Sequence, residues 1–203
     1  AWTYWQEVYS GWSDSIDGSM AEANRANRRA QEINPEYSEV WSQAGAIHMM
    51  NHNANQAVEN CLKAVKLEPG NAETQALTAY AYLFTGEYEL ARDHIQQMEK
   101  LCPVLPNWYY LIAGQVEQAN GDLEEAVQTM RQGIEVEPDS PLCRFYLINA
   151  LMELGDEAGA RHFANEIRAL DRDMVGRGFV RAQSVDPMIR NRFQAHLEKF
   201  DLY

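Results

Sequence analysis

The sequence is poor in several features that would each settle a function class. No apolar run approaches the ~20 residues that a membrane-spanning helix needs, so direct membrane insertion is not expected. The start carries no basic stretch followed by an apolar one, so no secretory leader is read there. The chain opens at Ala1-Trp2 without an initiator Met, as a segment of a longer protein would. Basic residues are scarce: 17 Lys and Arg face 30 Asp and Glu, a formal charge of −13. Nucleic-acid backbones and anionic lipids are held by clustered Lys and Arg, so neither is an expected partner. The expected compartment is the cytoplasm, with the periplasm as the alternative if a spanning segment lies upstream.

Cysteine is equally sparse. Cys61, Cys102 and Cys143 lie 41 residues apart, form no CxxC, and as an odd number cannot all pair within the chain. They read as small, partly buried thiols on helices and not as a zinc site. Catalytic signatures are missing too: there is no Gly-rich phosphate loop, no GxSxG elbow and no HExxH. Of His48, His52, His94, His162 and His196, only the first two share a helical neighbourhood, and no third ligand accompanies them. His48 also occupies a core position of the repeat described next, which makes it a packing residue. Glu124-Glu125 and Asp171-Arg172-Asp173 sit where a helix starts and ends, as solvated charge. No enzymatic activity, cofactor or metal is expected of this segment.

What the chain does have is a period. Pro35, Pro69 and Pro103 are 34 residues apart, and Pro138 follows 35 later because one extra residue enters near Pro106. Ala23, Ala57, Ala91, Ala126 and Ala160 form a ladder with the same step, and so do Ala30, Ala64, Met98, Gly133 and Ile167. Self-similarity at this spacing marks a helical solenoid. Five units follow, 4–37, 38–71, 72–105, 107–140 and 141–174, with a tail over 175–203, all in one solenoid domain spanning 1–203. Each unit has two apolar-periodic halves. The dividing turns are expected at Gly18-Ser19, Asn51-His52-Asn53, Gly86-Glu87, Gly121-Asp122 and Gly155-Asp156, because Gly, and next Asn, tolerates the left-handed conformation that ends a helix. Each proline limits the second helix, since the residue before it disfavours helical angles. In the tail, Asp186-Pro187 starts a helix carrying Ile189, Phe193, Leu197 and Phe200 on one face, which predicts a capping helix. Arg172, Arg177, Arg181, Arg190 and Arg192 gather around it and read as a solvated face.

The repeating positions are specific ones. The second unit supplies Trp41, Ala44-Gly45, His48, Ala57, Cys61, Ala64 and Pro69. The fourth supplies Tyr110, Ala113-Gly114, Ala126, Met130, Gly133 and Pro138. This pattern resembles the tetratricopeptide repeat over 4–174. The resemblance implies an all-α, right-handed superhelical solenoid of about five helix-turn-helix repeats plus a C-terminal capping helix. It also implies that the first helix of each unit, helix A, lines a concave binding groove. The implied lining is Trp5, Val8 and Trp12 in the first unit, and Ser42, Ala46, Met49 and Met50 in the second. Ala76, Tyr80, Leu83 and Phe84 follow in the third, Trp108, Leu111 and Gln115 in the fourth, and Phe145, Asn149 and Met152 in the fifth. That is an exposed apolar and aromatic surface with a few amides, suited to a protein or peptide ligand with an apolar or helical segment. Chaperone-binding members of the family hold a C-terminal carboxylate with Lys, Asn and Arg. The matching positions here are Val8, Trp12, Ser42, Ala46, Ala76, Tyr80, Leu111 and Gln115, so an acidic peptide terminus of that kind is not an expected ligand.

PNWYYLIAG at 106–114, the irregular Arg-rich segment after the fifth unit and the final LEKFDLY together narrow the resemblance. They resemble the repeat region at the C-terminus of bacterial class III adenylate/guanylate cyclases, and the regions that follow the winged-helix domain of membrane-linked transcriptional regulators. Both imply a regulatory or sensory interaction module in a bacterial signalling protein. Two functions are carried forward: a groove that binds an apolar partner segment, and a homodimerising module that pairs output domains held elsewhere.

Overall fold

The computed structural model of the chain describes residues 1–9, 13–170, 180 and 186–203. Among these, eleven helices and no strands are present. In order they are α1 (Trp2–Tyr9), α2 (Ile16–Ile33), α3 (Ser38–Met50), α4 (Ala54–Leu67), α5 (Ala72–Thr85), α6 (Tyr88–Leu101), α7 (Asn107–Asn120), α8 (Leu123–Val136), α9 (Leu142–Leu154), α10 (Glu157–Leu170) and α11 (Pro187–Glu198). Two compact units result. The first takes in Ala1–Cys102, and the second takes in the described residues from Pro103 onward. The division falls at Cys102–Pro103, just before the extra residue interrupts the repeat step near Pro106.

Within the first unit, α1 packs on α2, α3 on α4 and α5 on α6, and α3 also meets α5. Within the second, α7 packs on α8 and α9 on α10, α7 meets α9, and α11 lies on α9. The two helices of a repeat differ in how they are buried. Helix α5 buries eleven consecutive residues, Thr74 to Phe84, whereas α6 buries only Ala91, Ile95 and Met98. The inner A helices α3, α5, α7 and α9 therefore bury more than half of their residues, and the B helices are amphipathic with a narrow apolar stripe.

Small residues let the hairpins close. A Cβ on Gly45 would stand 2.3 Å from the Cys61 sulfur and 3.1 Å from the Ala57 carbonyl oxygen, so α3 and α4 approach at a distance only glycine permits. Ala23, Ala57, Ala91, Ala126 and Ala160, the first ladder read from the sequence, are all fully buried. The expected helix ends before prolines are also present. Asn34, Glu68, Cys102 and Glu137 each leave helical angles with φ between −122 and −144°, one residue before proline.

Turn placement agrees at four sites and differs at one. Gly86, Gly121 and Gly155 take the left-handed conformation that ends α5, α7 and α9. Gly18-Ser19 does not divide a hairpin but lies inside the first turn of α2. The Ser15 hydroxyl accepts the Gly18 N–H, which caps the helix three residues earlier than glycine content suggested. In the second repeat the left-handed residue is His52 (φ 57°), not a flanking asparagine. The capping helix forms as read: the Asp186 carboxylate accepts the Met188 N–H at 2.8 Å, with Pro187 at the first helical position. Its Phe193 and Leu197 are fully buried, and the Phe193 ring lies 5.2 Å from that of Tyr146 on α9. Of the tail arginines, Arg172, Arg177 and Arg181 lie outside the described residues, while Arg192 pairs with Glu153 at 2.9 Å.

Candidate functional site

The residues expected to line an open groove occupy the A helices in both units, but they are not exposed. In the first unit Met49, Met50 and Phe84 are 2% exposed or less, and Trp5, Val8, Ser42 and Tyr80 are buried as well. Trp12 lies outside the described residues. In the second unit Leu111, Gln115, Phe145 and Asn149 are buried, and Trp108 is half-buried. The expectation of an exposed apolar lining is corrected on this point. Helix α3 meets α1, α2, α4 and α5, helix α5 meets α3, α4 and α6, and helix α9 meets α7, α8, α10 and α11, which leaves these faces little access to water.

The terminal helices meet the predicted faces through defined contacts. On α1, the Trp5 indole N–H donates to the Ala46 carbonyl at 3.0 Å, and Trp2 stacks on Trp5 with ring centroids 4.7 Å apart. On α11, His196 Nδ1 lies 2.7 Å from Asn149 Oδ1. A carbonyl oxygen only accepts, so Nδ1 carries the hydrogen. Burial holds this imidazole below its usual pKa; Glu153 opposes the shift, while Arg192 and Lys199 reinforce it. Ala46 and Asn149 occupy equivalent positions of the second and fifth repeats. Both thus receive a side chain from a helix outside their own repeat. Sequence reasoning missed Trp2 and His196. The only available signal was spacing, since Trp2 stands one helical turn before Trp5, and His196 borders the apolar stripe of the tail helix.

Polar groups on these faces are few. The Ser42 hydroxyl donates back to the Glu39 carbonyl at 3.1 Å. Beside it, Trp2, Glu39, Glu73 and Leu77 bound a cavity of 180 Å³. Burial, then the nearby Glu39 charge, pushes the Glu73 carboxyl up. The Gln115 amide NH₂ donates to the Leu111 carbonyl at 3.1 Å, while its own buried oxygen has no partner. Elsewhere, burial pushes the Cys61 and Cys143 thiols up to about 12, which makes them inert packing groups rather than nucleophiles. His48 is half-buried and neutral, lowered by burial and then by Arg28. Among the described residues no group of three His, Cys, Asp or Glu could hold a metal ion. No helix among them is long and apolar enough to cross a membrane.

Stacked antiparallel hairpins with small residues at the crossings, a left-handed residue between the helices at His52, Gly86, Gly121 and Gly155, and prolines closing the second helices leave one architecture. This is the tetratricopeptide-repeat fold. Residues 117–175 match the tetratricopeptide repeat profile directly. The chain is similar to the solved structure of TTC0263, a thermophilic TPR protein of Thermus thermophilus, with a TM-score of 0.70, 18% identity and 90% of each chain covered. It is also similar to a chain of the APC/C hetero-tetramer Cut9-Hcn1, with a TM-score of 0.70 and 12% identity over 97% of this chain and 38% of that one. Among curated proteins, human receptor-type tyrosine-protein phosphatase F is 24% identical over 209 residues. The chain spans 10% of that protein's length, so its activity does not carry over. Helical repeats of this type generally serve as non-catalytic scaffolds for protein–protein interaction.

Proposed function

We propose that this chain is a regulatory interaction module of a larger protein, and that its A-helix faces take an apolar or helical segment of a partner. What supports the reading is the way the chain's own terminal helices use those faces. Trp5 lies on Ala46 and His196 on Asn149, each an aromatic side chain of a helix meeting a predicted contact position. A surface that accepts amphipathic helices in cis has the shape and apolar content to accept one in trans. Cut9, a neighbour in fold, is seen assembled with Hcn1. The larger setting we propose is a bacterial signalling protein of the class III cyclase or winged-helix regulator type, on the strength of the stretches at 106–114 and 197–203.

Self-association is the second reading, and a different observation favours it. Ile33, Leu101, Val136 and Leu170 each end a B helix and stay 69, 40, 51 and 40% exposed. Repeated apolar helix ends of this kind could pair two copies. Light scattering across a concentration series separates the two readings. A constant monomer supports partner binding, and a dimer dispersed by Ile33→Glu with Val136→Glu supports self-association.

A further inference from the structure

A cavity of 820 Å³ in the first unit lies between α2 and the α3–α4 turn, and its lining differs from that of the A-helix faces. Arg25, Arg28 and Arg29 line it from α2. Their spacing of three and four residues sets them on one helical face. One carboxylate, Glu32, joins them, and it is already 2.9 Å from Arg29. Arg25 is 3.1 Å from Glu22. Arg28 is exposed and has no ion-pair partner among the described residues. In a chain of formal charge −13, this is a concentrated positive site with a guanidinium to spare.

The other side of the cavity is built from amides. Asn51, Asn53 and Gln56 line it from the α3–α4 turn and the start of α4. Asn53 precedes α4 without making a side-chain capping bond, so the first N–H groups of that helix gain no side-chain acceptor from it. His48 adds a neutral imidazole whose Nδ1 is buried and has no hydrogen-bond partner. Ala21 is the sole apolar residue in the lining. A nucleoside or an acyl chain would need an aromatic or apolar wall, and none is available here.

We propose that this cavity binds an acidic peptide segment of a partner protein. Arg28 takes a carboxylate side chain through its planar fork of donors, and the amides of Asn53 and Gln56 pair with the peptide backbone. Amide side chains both donate and accept, as a peptide bond does, so this combination fits a peptide better than a bare anion. The proposal does not depend on the A-helix faces.

The test uses the full chain and a short fluorescein-labelled peptide of alternating Glu and Gly, followed by anisotropy at low salt. Arg28→Glu should weaken binding by about tenfold or more. Arg28→Lys should give an intermediate loss, because a point charge replaces the fork. Arg161→Glu makes the same charge change on exposed α10 and should leave binding within about twofold of the wild type. The Asn53 and Gln56 side-chain amide signals should shift on peptide addition. Equal losses in Arg28→Glu and Arg161→Glu would make the effect one of net charge and overturn the proposal. So would absence of binding at low salt, or complete displacement of the peptide by equimolar inorganic phosphate. Arg28 is exposed, so circular dichroism should show its variants folded like the wild type.

Discussion

Gly45 shows how much of this molecule depends on single atoms. Replacing it with alanine would favour the helix by about 1 kcal/mol on propensity alone. The new methyl, however, would stand 2.3 Å from the sulfur of Cys61, a fully buried side chain with nowhere to retreat. Overpacking of this kind typically costs about 1–3 kcal/mol, so Gly45→Ala should be net destabilising, read as a lower urea midpoint at unchanged m-value. Position 196 governs a different property. Burial depresses the folded-state pKa of His196 below the ordinary 6.5, and that of His48 and His94 as well. Between the depressed values and 6.5 the unfolded chain binds more protons than the folded one. Stability is therefore complete above 6.5 and lost as pH falls. Glu73, raised by burial, acts in the opposite sense at lower pH. Thermal midpoints should drop from pH 7.5 to 5.5, and His196→Gln should flatten part of that slope. An unchanged slope in the variant would mean that His196 titrates freely in the fold.

Among the elements, α11 carries the clearest consequence. Phe193 and Tyr146 are both fully buried, with ring centroids 5.2 Å apart where α11 lies on α9. Phe193→Ala should cost about 3–5 kcal/mol, measured by chemical denaturation, with Tyr146 becoming more accessible to solvent quenchers. A cost below about 1 kcal/mol would mean that the helix does not hold the end of the repeat stack. This element was legible in the sequence, because Asp186-Pro187 is a local start signal and the apolar spacing after it is helical. The start of α2 was not. Gly18 pointed to a turn, yet Ser15 caps the helix before it, and a cap depends on the φ and ψ of one residue that composition does not reveal. The B-helix ladder was legible in full, since small residues at a fixed step are what close helix crossings require.

At the scale of the molecule, the expected binding face and the observed one contain the same residues in different states. Trp108 and Met152 are the two predicted contact residues among those described that keep partial exposure, and Trp108, the larger and aromatic one, is the natural point of entry for a partner. Trp108→Ala should reduce capture of a defined partner helix while leaving the fold intact, checked by calorimetry beside circular dichroism. An unaltered affinity would move the contact elsewhere. The sequence by itself determined the helical-repeat class, the repeat step, the closing prolines and the capping helix, because each follows from spacing and local backbone preference. Only the tertiary structure decided that the A-helix faces are covered, that Trp5 and His196 meet Ala46 and Asn149, and that three arginines of α2 share a cavity with amides from the α3–α4 turn. Those outcomes depend on how separate helices approach one another, and a repeat constrains which residues face inward far more than what finally lies against them.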